Sequence, residues 1–95
     1  MTNSALLNIK FFLGRIIVTA KAQQKLQHED IDKSLRRHQA GDWGGVDIDD
    51  RHANEHGLAN SGRILSTFFD RGRRKFWIIT EANRLSTTVF LSEDY

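Results

Sequence analysis

The sequence contains neither cysteine nor proline. Without cysteine, the chain can form no disulfide, has no thiol nucleophile and offers no zinc ribbon. A reducing compartment is compatible with this composition, and we expect a bacterial-type cytoplasm. Without proline, every motif that requires a proline is excluded.

Long hydrophobic runs are also absent. The most apolar part of the chain is residues 1–22, where Lys10 and Arg15 interrupt the apolar stretch. The remaining run is too short to span a bilayer, and no basic segment precedes it as in a signal peptide. We therefore expect no membrane partner.

The charges that are present are clumped. The chain of 95 residues is 39% hydrophobic and 27% charged, which is typical of one globular domain. The formal net charge is only +2, yet Arg71, Arg73, Arg74 and Lys75 lie close together, while acids gather at 29–32 and 47–50. This distribution predicts a local basic patch and a partner that is a nucleic acid or a protein complex.

The pattern of apolar and turn-forming residues predicts an α+β fold. We expect short helices packed on an antiparallel β-meander of about four strands in a single domain, 14–95, after an N-terminal extension, 1–13. The expected helices span 21–27, 29–38 and 48 to 57 or 60, and the expected strands span 14–19, 63–70, 75–81 and 85–91. Asp47 is the predicted N-terminal cap of the third helix.

The strand at 75–81 is apolar on both faces. Phe76, Ile78 and Thr80 alternate with Trp77 and Ile79, so the strand should be central in its sheet. We expect helices to cover one face. The other face would be covered in part by the N-terminal extension or by a partner, and a homodimer is one such arrangement.

The stretch HANEH matches H-x-x-E-H, the pattern of inverted zinc peptidases. On a helix, His52 and His56 would point the same way and Glu55 could serve as a general base. A third ligand is needed, for which Asp49 is the nearest candidate. Because the peptidases that use this motif build their clefts from several domains, we interpret the stretch as a solvated helix face, and expect neither a metal nor a cofactor.

The stretch GDWGG, 41–45, is a loop by its glycines. Trp43 is expected to fill the core while Asp42 binds nearby backbone amides. The alternative is an exposed Trp43 that anchors a partner. The loop lacks the lysine and hydroxyl residue of a P-loop, so it is not a nucleotide-binding loop.

The stretch DRGRRK, 70–75, is expected to be a hairpin tip. It can be a solvated turn, or Arg71, Arg73 and Arg74 can contact phosphates. The flanking residues Phe68, Phe69, Phe76 and Trp77 could stack on bases if they are exposed.

A diffuse set of polar residues allows a different hypothesis. His38 and Glu81 could act as acid and base, and Arg63 and Arg84 could hold a phosphate, as in a small ribonuclease toxin of the barnase or RelE-like type. No spacing in the set is diagnostic, and Glu81 and Arg84 are explained more simply by a turn with an ion pair.

The segments LGRIIVTAKA, RHQAGDWGGVDIDDRHANE, GRILSTF and FWIITEANRLSTTVFLSEDY together resemble a family of small proteins carried on plasmids and integrative elements of proteobacteria. The resemblance covers roughly residues 13–95. The chain departs from the family pattern in its N-terminal extension, in Asn83 where the family has aspartate, and in Ser92 where it has proline. His52 and His56 are not required by that pattern.

Members of this family are often labelled as plasmid-related, or as a type I restriction subunit M. Adenine methylation by such a subunit requires an N-P-P-[YF] loop, and this chain has no proline and no glycine-rich cofactor loop. The chain is therefore not a complete methyltransferase. The resemblance implies residence on a mobile element and no catalytic residues.

These observations favour a non-enzymatic accessory protein of a mobile genetic element. It would bind a host or element macromolecule, in counter-defence or in regulation, through Trp43 and the arginines of the hairpin. The alternatives are the ribonuclease toxin and, last, a zinc-dependent hydrolase.

Overall fold

A computed structural model describes residues 9–94. It has an α+β fold, as predicted. The elements in chain order are β1 (Arg15–Val18), α1 (Ala20–Lys25), α2 (His28–Gln39), α3 (Ile48–Asn60), β2 (Ile64–Phe69), β3 (Lys75–Thr80), β4 (Ser86–Leu91) and a short 3-10 turn (Ser92–Asp94).

Side chains cap the first turns of α1 and α3. The Thr19 hydroxyl accepts a hydrogen bond from the Ala22 N–H at 3.2 Å at the start of α1. Asp47 caps α3 as predicted, accepting from the Asp50 N–H at 2.8 Å. Gly57 does not end α3, since the helix continues to Asn60 and stops at Ser61, which adopts a left-handed conformation.

The sheet is mixed, which corrects the predicted meander. Its strand order is β1-β4-β3-β2. Strands β2, β3 and β4 are antiparallel neighbours joined by short turns, as expected. Strand β1, however, runs parallel to β4, from Arg15 opposite Ser86 to Val18 opposite Val89. Because three helices separate β1 from β2 in the sequence, β1 is free to join the far side of the meander.

The helices cover one face of the sheet. Strand β3 is central, and its residues Phe76, Ile78 and Thr80 are fully buried beneath the helices. They belong to a core that extends to helix residues such as Ile31 and Leu35. Burying apolar side chains on one face of a sheet is the main source of stability for this architecture.

Phe11 and Leu13 of the N-terminal extension pack on the helical side. Phe11 is buried in a second cluster with Trp43 and Ile64, and its ring meets the His38 ring edge-on at 5.2 Å. The expectation that the extension covers the other face is therefore wrong for its described part. The rest of that expectation concerns residues 1–8, which lie outside the described residues.

The outer edge of β2 is closed by side-chain and loop contacts. The buried Asn54 amide accepts from the Leu65 N–H at 2.9 Å and donates to the Leu65 carbonyl at 2.6 Å. Further along, the Thr67 N–H donates to the Trp43 carbonyl and the Gly45 N–H donates to the Thr67 carbonyl. An edge covered in this way cannot accept another strand.

None of the helices formed by residues 9–94 has the length and apolar character needed to cross a bilayer.

Candidate binding surface

The second face of the sheet carries a continuous apolar surface, which we call the open face. One row of neighbouring residues runs across all four strands and consists of Ile17, Thr88, Ile79 and Leu65. These side chains are half-buried or exposed, and none belongs to either core cluster. The sheet therefore presents apolar side chains on both faces, and the helices within residues 9–94 cover one of them.

Aromatic side chains dominate the next row of the open face. Trp77 and Phe90 lie opposite each other on β3 and β4, and their rings stack with centroids 5.8 Å apart and planes 24° apart. Together with Leu65 and Ile79 they line a groove of about 380 Å³. Phe69 continues the aromatic surface at the end of β2 and is 59% exposed.

Four cations from the described part of the chain border this surface. The Lys75 ammonium lies 5.3 Å from the centroid of the Trp77 ring, and Arg73 lines a cavity of about 500 Å³ with Phe69. Arg63 and Arg15 lie on the same face near its opposite end. Two carboxylates, Glu81 and Asp94, also border the face, and Glu81 is paired with Arg63, so the positive charge near the aromatic side chains comes from Lys75 and Arg73.

The basic hairpin is only partly free to bind a partner. The Arg71 guanidinium forms two hydrogen bonds with the Asp30 carboxylate, at 3.0 and 3.1 Å. These bonds hold the pKa of Asp30 below its usual range. The Arg74 guanidinium donates to the Lys25 carbonyl at 3.0 Å and lies 3.7 Å from Asp70. Among the described residues Arg73 has no such contact, so it is the predicted arginine that remains available.

Trp43 fills the core, as the structural interpretation of the GDWGG loop predicted. Its side chain is 8% exposed, so it is not an exposed anchor. No acceptor among residues 9–94 reaches its indole N–H. Asp42 binds the Gly44 N–H, and the Arg37 guanidinium beside Asp42 lowers the pKa of its carboxyl.

His38 is completely buried and belongs to a chain of hydrogen bonds. Its Nδ1 lies 2.5 Å from the Ser66 hydroxyl, and its Nε2 lies 2.8 Å from the Thr80 hydroxyl. Burial, and secondarily the charge of Arg84, lowers the pKa of His38 to about 3. The ring is therefore neutral and has no access to a substrate.

The donor and acceptor of each hydrogen bond in this chain are fixed by its last member, the Thr87 hydroxyl. The Thr87 hydroxyl donates to the Leu13 carbonyl at 2.7 Å, so it must accept from Thr80. The Thr80 oxygen then accepts from Nε2–H of His38, and Nδ1 accepts from Ser66. The chain joins α2, three strands and the segment that precedes β1.

The four residues of the ribonuclease hypothesis do not form one site. Arg63 and Glu81 form an exposed ion pair at 3.3 Å. Arg84 instead donates to backbone carbonyls, including those of Gly57 in the last turn of α3 and of Gly62 just after that helix. With His38 inside the core, this arrangement gives no support to an acid–base pair around a phosphate.

His52 and His56 are exposed on α3. His56 contacts Asn60 through its ring nitrogen at 3.1 Å. Within residues 9–94, no group of three histidine, aspartate or glutamate side chains is placed to hold a metal ion. The pattern H-x-x-E-H is thus not built into a three-ligand site.

Sequence reasoning missed two members of the open face, Phe90 and Ile17. The alternation of Ser86, Thr88 and Phe90 in the predicted strand carried a signal for the first. No signal placed Ile17 on this surface, because the parallel pairing of β1 was not foreseen.

Comparison with known proteins gives no match to a family model, to a curated protein or to a solved structure. The resemblance to plasmid-borne proteins therefore stays a prediction.

Proposed function

We propose that the protein is a non-enzymatic binding module for single-stranded nucleic acid, which it holds on the open face of its sheet. The observation that carries this proposal is the placement of aromatic rings from three adjacent strands on a face that no described helix covers. Phe69, Trp77 and Phe90 supply these rings. The proposal keeps the predicted role of a macromolecule-binding accessory protein and moves the binding surface from the hairpin arginines to the sheet.

Aromatic side chains suit unpaired bases. Every base has a flat π-surface, so stacking on a protein ring provides affinity without requiring a particular sequence. Phe69 is the most accessible of the three rings. The groove formed by Trp77, Phe90 and Ile79 offers apolar contact to a neighbouring base or sugar.

The cations suit the backbone of such a strand. Arg73 and Lys75 lie at the aromatic end of the face, and Arg15 and Arg63 lie at the other end. A strand that crosses the sheet would have phosphates near both pairs, whereas the bases of a duplex are already stacked and unavailable. A purely apolar protein partner would gain little from this distribution of charge.

The resemblance to proteins of mobile elements gives this activity a setting. On that hypothesis, the bound strand would be an RNA of the element or of its host, and the role would be regulation or counter-defence. A protein of a host complex remains the alternative partner.

The test is binding to fluorescein-labelled single-stranded RNA and to a duplex of the same length, measured by fluorescence anisotropy. We expect the single strand to bind more tightly than the duplex. The slope of log Kd against log salt should be about 3 or less if each of the four cations meets one phosphate. A Trp43→Phe variant leaves Trp77 as the only tryptophan, whose fluorescence should be quenched on binding.

Two substitutions and one control locate the site. Phe69→Ala and Arg73→Ala should weaken binding, the first by about fivefold or more because a stacking contact is worth about 1–3 kcal/mol. Arg36→Ala, an exposed arginine on the helical side, should leave Kd unchanged. Equal loss in all three variants, or no binding at about 100 μM protein, would contradict the proposal and favour a protein partner. Cleavage of the RNA would support the ribonuclease hypothesis instead.

A further inference from the structure

The two edges of the sheet differ. The outer edge of β2 is closed by Asn54 and by the Trp43–Gly45 segment. Strand β1 lies at the other end of the sheet and pairs only with β4 among the described strands. Unpaired strand edges bind other strands readily unless they are blocked.

The outward groups of β1 can be identified from its hydrogen bonds. The Arg15 N–H donates to the Leu85 carbonyl and the Thr19 N–H donates to the Val89 carbonyl. Since alternate residues of a strand point their backbone groups to the same side, Ile16 and Val18 direct theirs away from β4. None of the described residues pairs with the N–H or C=O groups of these two residues.

This edge is also apolar. Ile16 is 47% exposed and Ile17 is 40% exposed, while Phe12 and Leu85 beside the start of the strand are 77% and 69% exposed. On the helical side, Ile16 and Val18 open into a cavity of about 370 Å³ that reaches core residues of α2. The core of one chain is therefore incomplete along this edge.

We propose that the occupant of this edge is a second copy of the same chain, whose β1 adds antiparallel to the first. In the register that centres a two-fold axis on Ile17, Ile16 of each copy pairs with Val18 of the other. This arrangement forms about four backbone hydrogen bonds and places the two Ile17 side chains against each other. Ile16 of each copy would then lie at the mouth of the cavity of the other.

Complementary charges on Arg15 of one copy and Asp94 of the other favour a second copy as the partner, in this register. Arg15 makes no ion pair with the described residues, and the register places it opposite Thr19 of the second copy. The Thr19 hydroxyl donates to the Asp94 carboxylate at 2.7 Å, and both side chains lie on the same face of the sheet as Arg15. Each Arg15 would thus meet Asp94 of the other copy, twice per dimer by symmetry.

Dimerisation does not depend on nucleic-acid binding. It would join the two sheets into one of eight strands with a continuous open face, on which Arg15 would pair with Asp94 of the other copy and leave phosphate contacts to Arg63, Arg73 and Lys75, but its assembly requires no RNA. The molecular mass in solution tests it alone.

The experiment is sedimentation velocity at increasing protein concentration, without nucleic acid. We expect the mass to rise from the 10.9 kDa of one chain to twice that value. Ile17→Lys should give a monomer, since two lysines would face each other across the axis. Ile48→Lys, the same change at an exposed position on α3, which packs against β2 at the opposite end of the sheet, should leave the dimer intact.

A charge exchange tests the register. Arg15→Asp and Asp94→Arg should each weaken the dimer by about tenfold through like-charge contacts, and the double variant should restore it to within about threefold. Circular dichroism checks that each variant is folded. A monomeric mass at about 200 μM wild-type protein would overturn the dimer. A full loss in the double variant would overturn the register.

Discussion

At the scale of single residues, His38 shows how position decides chemistry. The side chain combines two hydrogen-bonding nitrogens with an apolar ring, and here both nitrogens are used inside the protein. The hydrogen-bond directions make Nε2 the protonated nitrogen and Nδ1 the acceptor. A histidine held in this way stabilises the fold only while it stays neutral.

The stability of the protein should therefore fall in mild acid. The pKa of His38 is about 3 in the folded protein against 6.5 for the free group, so only the unfolded chain binds the proton as the pH decreases from 6.5. The free energy of unfolding should decrease by up to about 1.4 kcal/mol per pH unit in this range. Urea unfolding at pH 7, 6 and 5 measures it.

A His38→Gln variant is the control for this effect. It should be less stable at pH 7 but should lose much less stability between pH 7 and 5. The carboxyls of Asp30, Asp42 and Asp94 have lowered pKa values, so their contribution is lost only as the pH falls below about 3.8. An identical slope in wild type and variant would rule out His38 as the source.

The sequence was informative about Trp43 and misleading about His38. Trp43 is a large, mostly apolar side chain in a glycine-rich loop, and burial in the core is the favoured location for such a side chain. For His38, the surrounding sequence is the same whether the ring binds the Ser66 and Thr80 hydroxyls or a substrate, so the sequence does not distinguish the two. Only the register of β2 and β3 brings those hydroxyls to it.

At the scale of elements, Asn54 acts as a neighbour of strand β2. Its side-chain amide has the donor and the acceptor of a peptide group and pairs with both backbone groups of Leu65. A helix residue thereby completes the hydrogen bonding of an edge strand. Because Asn54 is 2% exposed, water cannot easily replace it.

Asn54→Asp should destabilise the protein by at least about 2 kcal/mol, because it removes the donor to the Leu65 carbonyl and buries a charge. Chemical denaturation measures the loss, and faster exchange of the Leu65 amide hydrogen locates it. The matched control is Asn83→Asp, which keeps the acceptor for the Leu85 N–H and should change stability by less than about 0.5 kcal/mol. Similar losses in both variants would contradict this role.

The elements themselves were largely predictable. Alternating residues identified β2, β3 and β4, and the cap at Asp47 located α3. The antiparallel pairs followed because short turns leave adjacent strands no other arrangement. The partner of β1 could not be predicted. Arg15 pairs with Ser86, 71 residues further along the chain, and the side-chain pattern of a four-residue strand does not indicate which distant strand lies beside it.

At the scale of the whole molecule, the segment before β1 packs tightly against the turn before β4. Gly14 makes this possible. Its φ is +65°, and an added Cβ would lie 2.5 Å from backbone atoms of Arg84 and Leu85. A residue with a side chain there would push β1 away from β4 and weaken the parallel pairing on which the sheet depends.

Gly14→Ala should therefore lower the free energy of unfolding by about 2–4 kcal/mol, from the left-handed backbone and the collision together. Thermal and urea unfolding measure this loss. Gly72→Ala is the control, since its nearest contact would be Asp70 at 3.5 Å, and it should cost less than about 1 kcal/mol. A tolerated Gly14→Ala would mean that β1 adds little to the stability of the fold.

The parallel pairing of β1 and β4 also determines how the molecule would respond to force. If residues 10 and 94 were pulled apart, the two strands would slide past each other in opposite directions. Their hydrogen bonds lie across the direction of sliding and would bear the load together, whereas the β2–β3 hairpin, pulled at its open end, would unzip one bond at a time. The parallel pairing of β1 with β4 thus predicts high resistance to force applied along this direction.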